Sequence, residues 1–295
     1  MPDLARAAAP GLFAKAVLQS GPCTLLSGPD LAQAGRDGQG FAADAGCPDP
    51  ATAVACLRAA WAPNLIAAAR NHPITGPTVG GGALPLRPAD AIAAGSWHRV
   101  PVLIGSTRAE GKMFALDRPY LTPDQYVATI NARYGPIAPQ VPARYPASGY
   151  PAPYYAMSAV LTDSLFGCGT YRTAELPASR TPTYVYEFDD PNSPTLYGAQ
   201  LPGLDESNAH SAELAYLFDF TMGERPLTPV QVRLGTLMKR YWGAFMRSGS
   251  PNTWGQPVWP QAGARHELLT LRPDGSRVST AFAAEHQCDF WAAPR

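Results

Sequence analysis

Two side chains in this sequence of 295 residues, His210 and Glu110, are of the types and in the settings that acid–base chemistry uses. His210 lies in LPGLDESNAHSAELAYLFDF, residues 201–220, where a Pro/Gly-opened loop carrying Asp205, Glu206 and Asn208 gives way to the apolar spacing of a short helix. An imidazole at such a loop-to-helix junction can meet a distant segment, and at ordinary pH it is the side chain best able to take and return a proton. Helix capping or plain packing is the alternative reading of the same residue. Glu110 lies in STRAEGKMFA, directly after the run VPVLIGS at 100–106. A carboxylate just past a buried parallel strand stands at the sheet edge where α/β folds collect catalytic groups. Pairing with Arg108 or Lys112 at the surface is the competing reading for Glu110. Both residues follow a strand-like segment by a loop, so the fold decides whether they meet.

The elements that must position them alternate between strand and helix. GLFAKAVLQS, 11–20, runs into the short apolar strand AVLQS, and Gly/Asp/Gln-rich residues 24–46 read as surface loops. The alanine-rich stretch 51–70 is helical with a break near Pro63, and DAIAAG supplies a short helix ending at Gly95. VPVLIGS is aliphatic without polar alternation, as in a strand buried on both faces of a parallel sheet. TPDQYVATINARYG, 122–135, is a helix capped by Thr122 and ended by Gly135. Residues 151–180 hold a longer helix interrupted by glycines around Cys168, and TPTYVYEFDD, 181–190, is a second clear strand. Residues 228–249 form an amphipathic helix with Leu234, Leu237, Met238, Tyr241, Trp242 and Phe245 at core spacing, and HELLTLRP is the last expected strand. The alternation predicts an α/β class with a mostly parallel sheet, and no linker or repeat divides residues 1–295.

Composition narrows the function classes. Lys+Arg and Asp+Glu both number 23, and charged residues are only 16% of the chain, so no basic field calls for nucleic acid or an anionic membrane. Hydrophobic residues at 46% supply a substantial core. The 32 prolines, about twice the usual share, are dispersed as turn punctuation. No run approaches the roughly 20 apolar residues of a membrane span, and residues 1–21 lack the parts of a secretory signal.

Cys47 and Cys56 bracket a short turn-prone segment, whereas Cys168 and Cys288 lie far apart and could tie the C-terminus to the body. Cys23 is left over. Without a CxxC pair or a neighbouring histidine, disulfides are the expectation over any metal, and no cofactor is indicated.

Taken together, GLFAKAVLQSG, the CPDP and ACLRAAW pair, VPVLIGSTRAEGKMF, TYVYEFDDPNSP, AHSAELAYLF, FMRSGSPN with PVWP, and QCDFW resemble the type B carboxylesterase and cholinesterase family of α/β-hydrolases, in the family's order over essentially the whole chain. The resemblance implies that Glu110 is the triad acid, His210 the triad base and Ser20 a buried partner of both. It implies the disulfides Cys47–Cys56 and Cys168–Cys288, a small-molecule ester as substrate and acyl transfer through a serine ester.

The family's nucleophile stands in a G-E-S-A-G elbow and its oxyanion donors in a His-Gly-Gly loop, and neither occurs here. Glycine–serine neighbours such as Gly105-Ser106 lack the spacing, and Gly80-Gly81-Gly82 corresponds to an ordinary turn. By the resemblance, Met1 falls just after the elbow. The expectation is therefore an incomplete α/β-hydrolase fold, the C-terminal portion of an esterase that is inactive alone, prone to aggregate, and secreted when intact. The alternative is a non-catalytic cholinesterase-like binding or interaction module.

Overall fold

The buried run at 100–106 becomes the second strand of a five-stranded sheet: β1 (Ala16–Gln19), β2 (Val102–Thr107), β3 (Thr183–Phe188), β4 (Leu268–Leu271) and β5 (Arg277–Ser279), in that spatial order. The first four are parallel, with Gln19 opposite Gly105, Thr107 opposite Phe188 and Phe188 opposite Leu271. All six residues of β2 and of β3 are buried, which accounts for their lack of polar alternation. The strand β5, antiparallel to β4, comes after the expected last strand. Its signal was the Pro273-Asp274-Gly275 turn, with Gly275 at φ +129°, a conformation that favours glycine.

This computed structural model describes residues 2–5, 11–23, 28–72, 76–195, 201, 203–219, 221 and 225–292. Residues 24–27 of the expected surface loops, with Pro202 and Phe220 of the His210 segment, lie outside them.

The chain packs as two compact units. The larger, Phe13–Leu25 with Arg99–Arg295, contains the sheet. One face of the sheet carries its aromatic core: Tyr184, Tyr186 and Phe188 of β3 and Leu269 and Leu271 of β4 cluster with Leu234, Met238, Tyr241, Trp242 and Phe245 of the Pro229–Ser248 helix. Trp259 joins them and donates its indole N–H to the Val185 carbonyl at 2.8 Å. Leu237, expected in the core, is half-buried at its margin. The helix is closed locally at both ends, by a Thr228/Gln231 capping box and by Gly249 at φ +80°. Thr122 and Gln125 form the same box on the Pro123–Tyr134 helix, ended by Gly135 at φ +52°.

The helix expected to be interrupted near Cys168 is continuous. Pro153–Leu161 passes through a π-helical turn, Thr162–Gly167, into Cys168–Ala178. The wide turn accommodates the irregularity that the glycines announced. Cys168 is bonded to Cys288, 120 positions away, with Cα atoms 5.1 Å apart.

The smaller unit, Met1–Leu12 with Leu26–His98, is helical. Residues read as loops are corrected here: Leu31–Asp44 is a helix, with the Asp30 carboxylate accepting from Gln33 N–H at its start. Its glycines read as breakers, but Gly40 admits the His72 ring, and a Cβ there would lie 2.7 Å from Cε1. Helices Ala53–Ala59 and Ala62–Ala69 come next, Pro63 starting the second, and Cys47–Cys56 ties the segment before them to the first.

Candidate active site

Parallel strands aligned in register carry their C-terminal ends to one edge, and the larger unit places three candidate residues there. Ser20 follows β1 directly, in a left-handed conformation (φ +54°), with its N–H bonded to the Gly105 carbonyl of β2 at 2.8 Å. Glu110 lies three residues past β2, and its side chain is fully buried (0% exposed). His210 arrives on the long loop after β3, which is pinned to the same edge by Ala109 N–H donating to the Asn208 carbonyl at 3.0 Å. Asn208 also accepts from Asp190 N–H through its side-chain oxygen and donates to Asp189. The short helix after the histidine is confined to Leu214–Leu217, because turns at Asn208 and Ser211 (φ +59° and +71°) occupy the residues before it.

These loops converge on one carboxylate. Glu110 Oε1 accepts from the Ser20 hydroxyl at 2.5 Å and from Thr107 N–H at 2.7 Å, while Oε2 faces His210 Nδ1 at 2.6 Å. Three donors converging on one buried carboxylate fix its orientation. With Nδ1–H donating to Glu110, the imidazole presents Nε2 as the nitrogen able to accept a proton. The His210 side chain is 25% exposed, and the rings of Phe114 and Phe166 lie against it, each centroid 5.2 Å away. Burial acts to lower the imidazole pKa, but the bond to Glu110 and its charge, with Glu213 adding to them, outweigh it and hold the value above the ordinary one. Ser20 bonds only to the acid of the pair.

The surface reading of Glu110 does not hold, since both cations it invoked are engaged elsewhere. Arg108 pairs with Glu187 and Glu285 at 3.0 and 2.8 Å, and Lys112 with Asp205 at 2.7 Å. Gly80 closes a turn, its N–H donating to the Leu84 carbonyl. Among the described residues no group of His, Cys, Asp and Glu side chains could hold a metal. Cys23 is free and buried, and burial pushes its thiol up to about 11.

One site residue escaped the sequence reading. Glu213, three positions beyond His210, is 2% exposed, and its Oε1 accepts from Gln19 Nε2 at 2.9 Å, next to Ser20. Its Oε2 has no partner among the described residues. Burial, then the charge of Glu110, pushes this carboxyl up to about 7. The helical spacing AELAYLF pointed to position 213 only as part of a motif, because nothing local says that the side chain turns inward.

A buried acid locked to an imidazole at the C-terminal edge of a parallel sheet is an arrangement shared by many hydrolases, and sequence comparison narrows it. The Carboxylesterase family matches residues 3–291. The chain belongs to the carboxylesterase family. Its fold is accordingly the α/β-hydrolase fold, here with five strands and flanking helices. Similar members include fumonisin B1 esterase of Sphingopyxis macrogoltabida, 27% identical over 216 residues, covering 70% of this chain and 38% of that protein. Cocaine esterase of Homo sapiens is 31% identical over 134 residues, 45% of this chain and 23% of that protein. Carboxylesterase 5A of Felis catus is 25% identical over 310 residues, 95% of this chain and 54% of that protein. This carboxylesterase-family chain thus spans about half or less of the length of these relatives.

Proposed function

We propose that this chain supplies the acid and base of a carboxylic ester hydrolase of the serine type. Glu110 is the acid that holds the imidazole tautomer, His210 is the base that takes the nucleophile's proton and returns it to the leaving alcohol, and Ser20 anchors the acid. The observation that carries this reading is the single buried carboxylate bonded to Ser20 on one oxygen and His210 on the other, at 2.5 and 2.6 Å. The family and its esterase members support it.

No G-x-S-x-G elbow occurs in these 295 residues. The hydroxyl to be activated and the oxyanion donors belong, in this reading, to polypeptide outside them, and the chain alone is catalytically silent. Two disulfides fit an oxidising compartment, and we assign the intact protein to the extracellular side. Among the described residues no helix is long and apolar enough to cross a membrane. The substrate is a small ester.

The test expresses the chain alone and also joined to whatever coding sequence precedes it. The expected outcome is no hydrolysis of p-nitrophenyl acetate above background by the chain alone, and turnover by the extended protein. In the latter, Glu110→Gln and His210→Ala should each lower kcat by about 10⁴. Turnover by the verified chain alone, or an extended enzyme indifferent to both substitutions, would overturn the reading.

A further inference from the structure

Glu110 and His210 stand on separate loops, and a second link joins those loops beside the pair. Lys112, two residues past Glu110, extends its ammonium to Asp205 Oδ2 at 2.7 Å and to the Ser207 carbonyl at 2.8 Å, three residues before His210. The Lys112 side chain is only 12% exposed, and its Nζ lies 6.0 Å from the centre of the Tyr155 ring. The contacts close on themselves. Tyr155 hydroxyl accepts from Asp205 N–H at 2.7 Å, Tyr154 hydroxyl donates to the Lys112 carbonyl at 2.9 Å, and Asp205 accepts from the N–H and hydroxyl of Ser207. Burial acts to raise the Asp205 carboxyl, but the bonds from Lys112 and Ser207 hold it below its usual range.

An exposed ion pair would carry little weight, but this ammonium is mostly withdrawn from water and also bonds a carbonyl. The loop it grips needs such support. Asn208 and Ser211, on either side of Ala209 and His210, both take the left-handed conformation, which non-glycine residues keep only where the surroundings enforce it. The backbone bond from Ala109 and the side-chain bonds to Asp190 and Asp189 hold the loop at Asn208, and the Lys112 ammonium holds the stretch just before it, at Asp205 and Ser207.

We propose that Lys112 is a positioning residue, whose ammonium joins the Glu110 loop to the Asp205–Ser207 stretch and so sets the spacing at which Glu110 and His210 bond. The assignment rests on the acid–base reading of that pair. The groups that set the imidazole's titration are Glu110 and Glu213, and Lys112 acts on it through the distance to the first.

The experiment tracks the His210 imidazole by NMR in the full chain labelled with ¹⁵N-histidine, comparing wild type with Lys112→Met, Lys112→Arg and Asp205→Asn. Lys112→Met should shift the His210 pKa down towards the ordinary histidine value and lose the far-downfield Nδ1 proton of the bond to Glu110. Lys112→Arg, which keeps donors for both oxygens, should restore most of the shift, and Asp205→Asn should produce part of it. The resonances of His286, buried elsewhere in the same unit, report whether each variant is folded. If Lys112→Met fails that check, Asp205→Asn decides, since its carboxylate is 59% exposed and its loss leaves the core intact. A His210 titration and Nδ1 proton identical to wild type in the folded variants would overturn the proposal. No substrate enters this measurement, so its outcome is separable from that of the hydrolysis test.

Discussion

At the scale of single residues, two buried groups make the chain's stability fall as pH rises. His286 lies between Asp163 Oδ1 and Glu187 Oε1 at 2.5 and 2.8 Å, with Tyr145 hydroxyl donating to the same Asp163 at 2.8 Å. Burial opposes its charge, but the bonds to the two carboxylates prevail and raise the imidazole to about 9. A histidine raised on folding contributes stability that is complete below its unfolded value and is lost as pH climbs through the folded one, here between about 6.5 and 9. Glu213 acts in a lower window. Its carboxyl, at about 7 when folded against an ordinary 4.5, stays protonated longer in the native state, so stability declines between those values. Each shift corresponds to about 3 kcal/mol. Thermal unfolding from pH 5 to 9.5 should therefore show a continuous decline in Tm, with Glu213→Gln flattening the lower part and His286→Gln the upper. A Tm that rises across this range would refute both assignments. Neither residue's role could be read locally, since each depends on carboxylates from other elements: Glu110 for the one, Asp163 and Glu187 for the other.

At the scale of elements, Glu110 is held by the turn on its C-terminal side. That turn, Gly111–Phe114, packs directly on the long helix whose π-helical turn, Thr162–Gly167, carries Phe166, with Gly111 N–H donating to Thr162 Oγ1 at 2.9 Å. A Cβ on Gly111 would stand 2.0 Å from the Ser158 carbonyl and 2.7 Å from Thr162 N, both backbone atoms that cannot swing aside. Gly111→Ala should cost about 1–3 kcal/mol in denaturant unfolding. It should also disturb the Glu110–His210 bond, because the turn can relieve the clash only by moving the acid. A cost below about 0.5 kcal/mol would show that the approach is looser than these distances. Local chemistry made other elements legible: Thr122 and Thr228 announce their helices with complete capping boxes, and Gly135 and Gly249 end them, all within one turn of sequence. The Leu31–Asp44 helix was illegible because Gly35, Gly38 and Gly40 read as punctuation, whereas Gly40 is there for the His72 ring.

At the scale of the whole molecule, the bond between Cys168 and Cys288 fastens the last helix, Cys288–Ala292, to the long helix beside the sheet. The His286 cluster is next to it, Cys168 Sγ lying 3.2 Å from the His286 carbonyl. Closing a loop of 120 positions limits the unfolded chain, so Cys168→Ser/Cys288→Ser should lower stability by about 2–5 kcal/mol. Unfolding with and without reductant checks this, and a wild type whose Tm is insensitive to reduction would contradict it. Cys47–Cys56, separated by 9 positions, closes a much shorter loop and should contribute less.

What the sequence determined by itself was local or repeated along the chain: the buried parallel strands, the capped helices, and the family that its ordered motifs resemble. Those features arise from side-chain periodicity and turn chemistry within a few residues. Tertiary structure alone decided that Glu110 faces His210 instead of Arg108 or Lys112, that Lys112 bridges to Asp205, and that Glu213 turns inward with one oxygen unpaired among the described residues. The physical reason is that a carboxylate's partners are set by which loops the parallel register brings to one edge, and residues 20, 110 and 210 meet there only once β1, β2 and β3 are aligned.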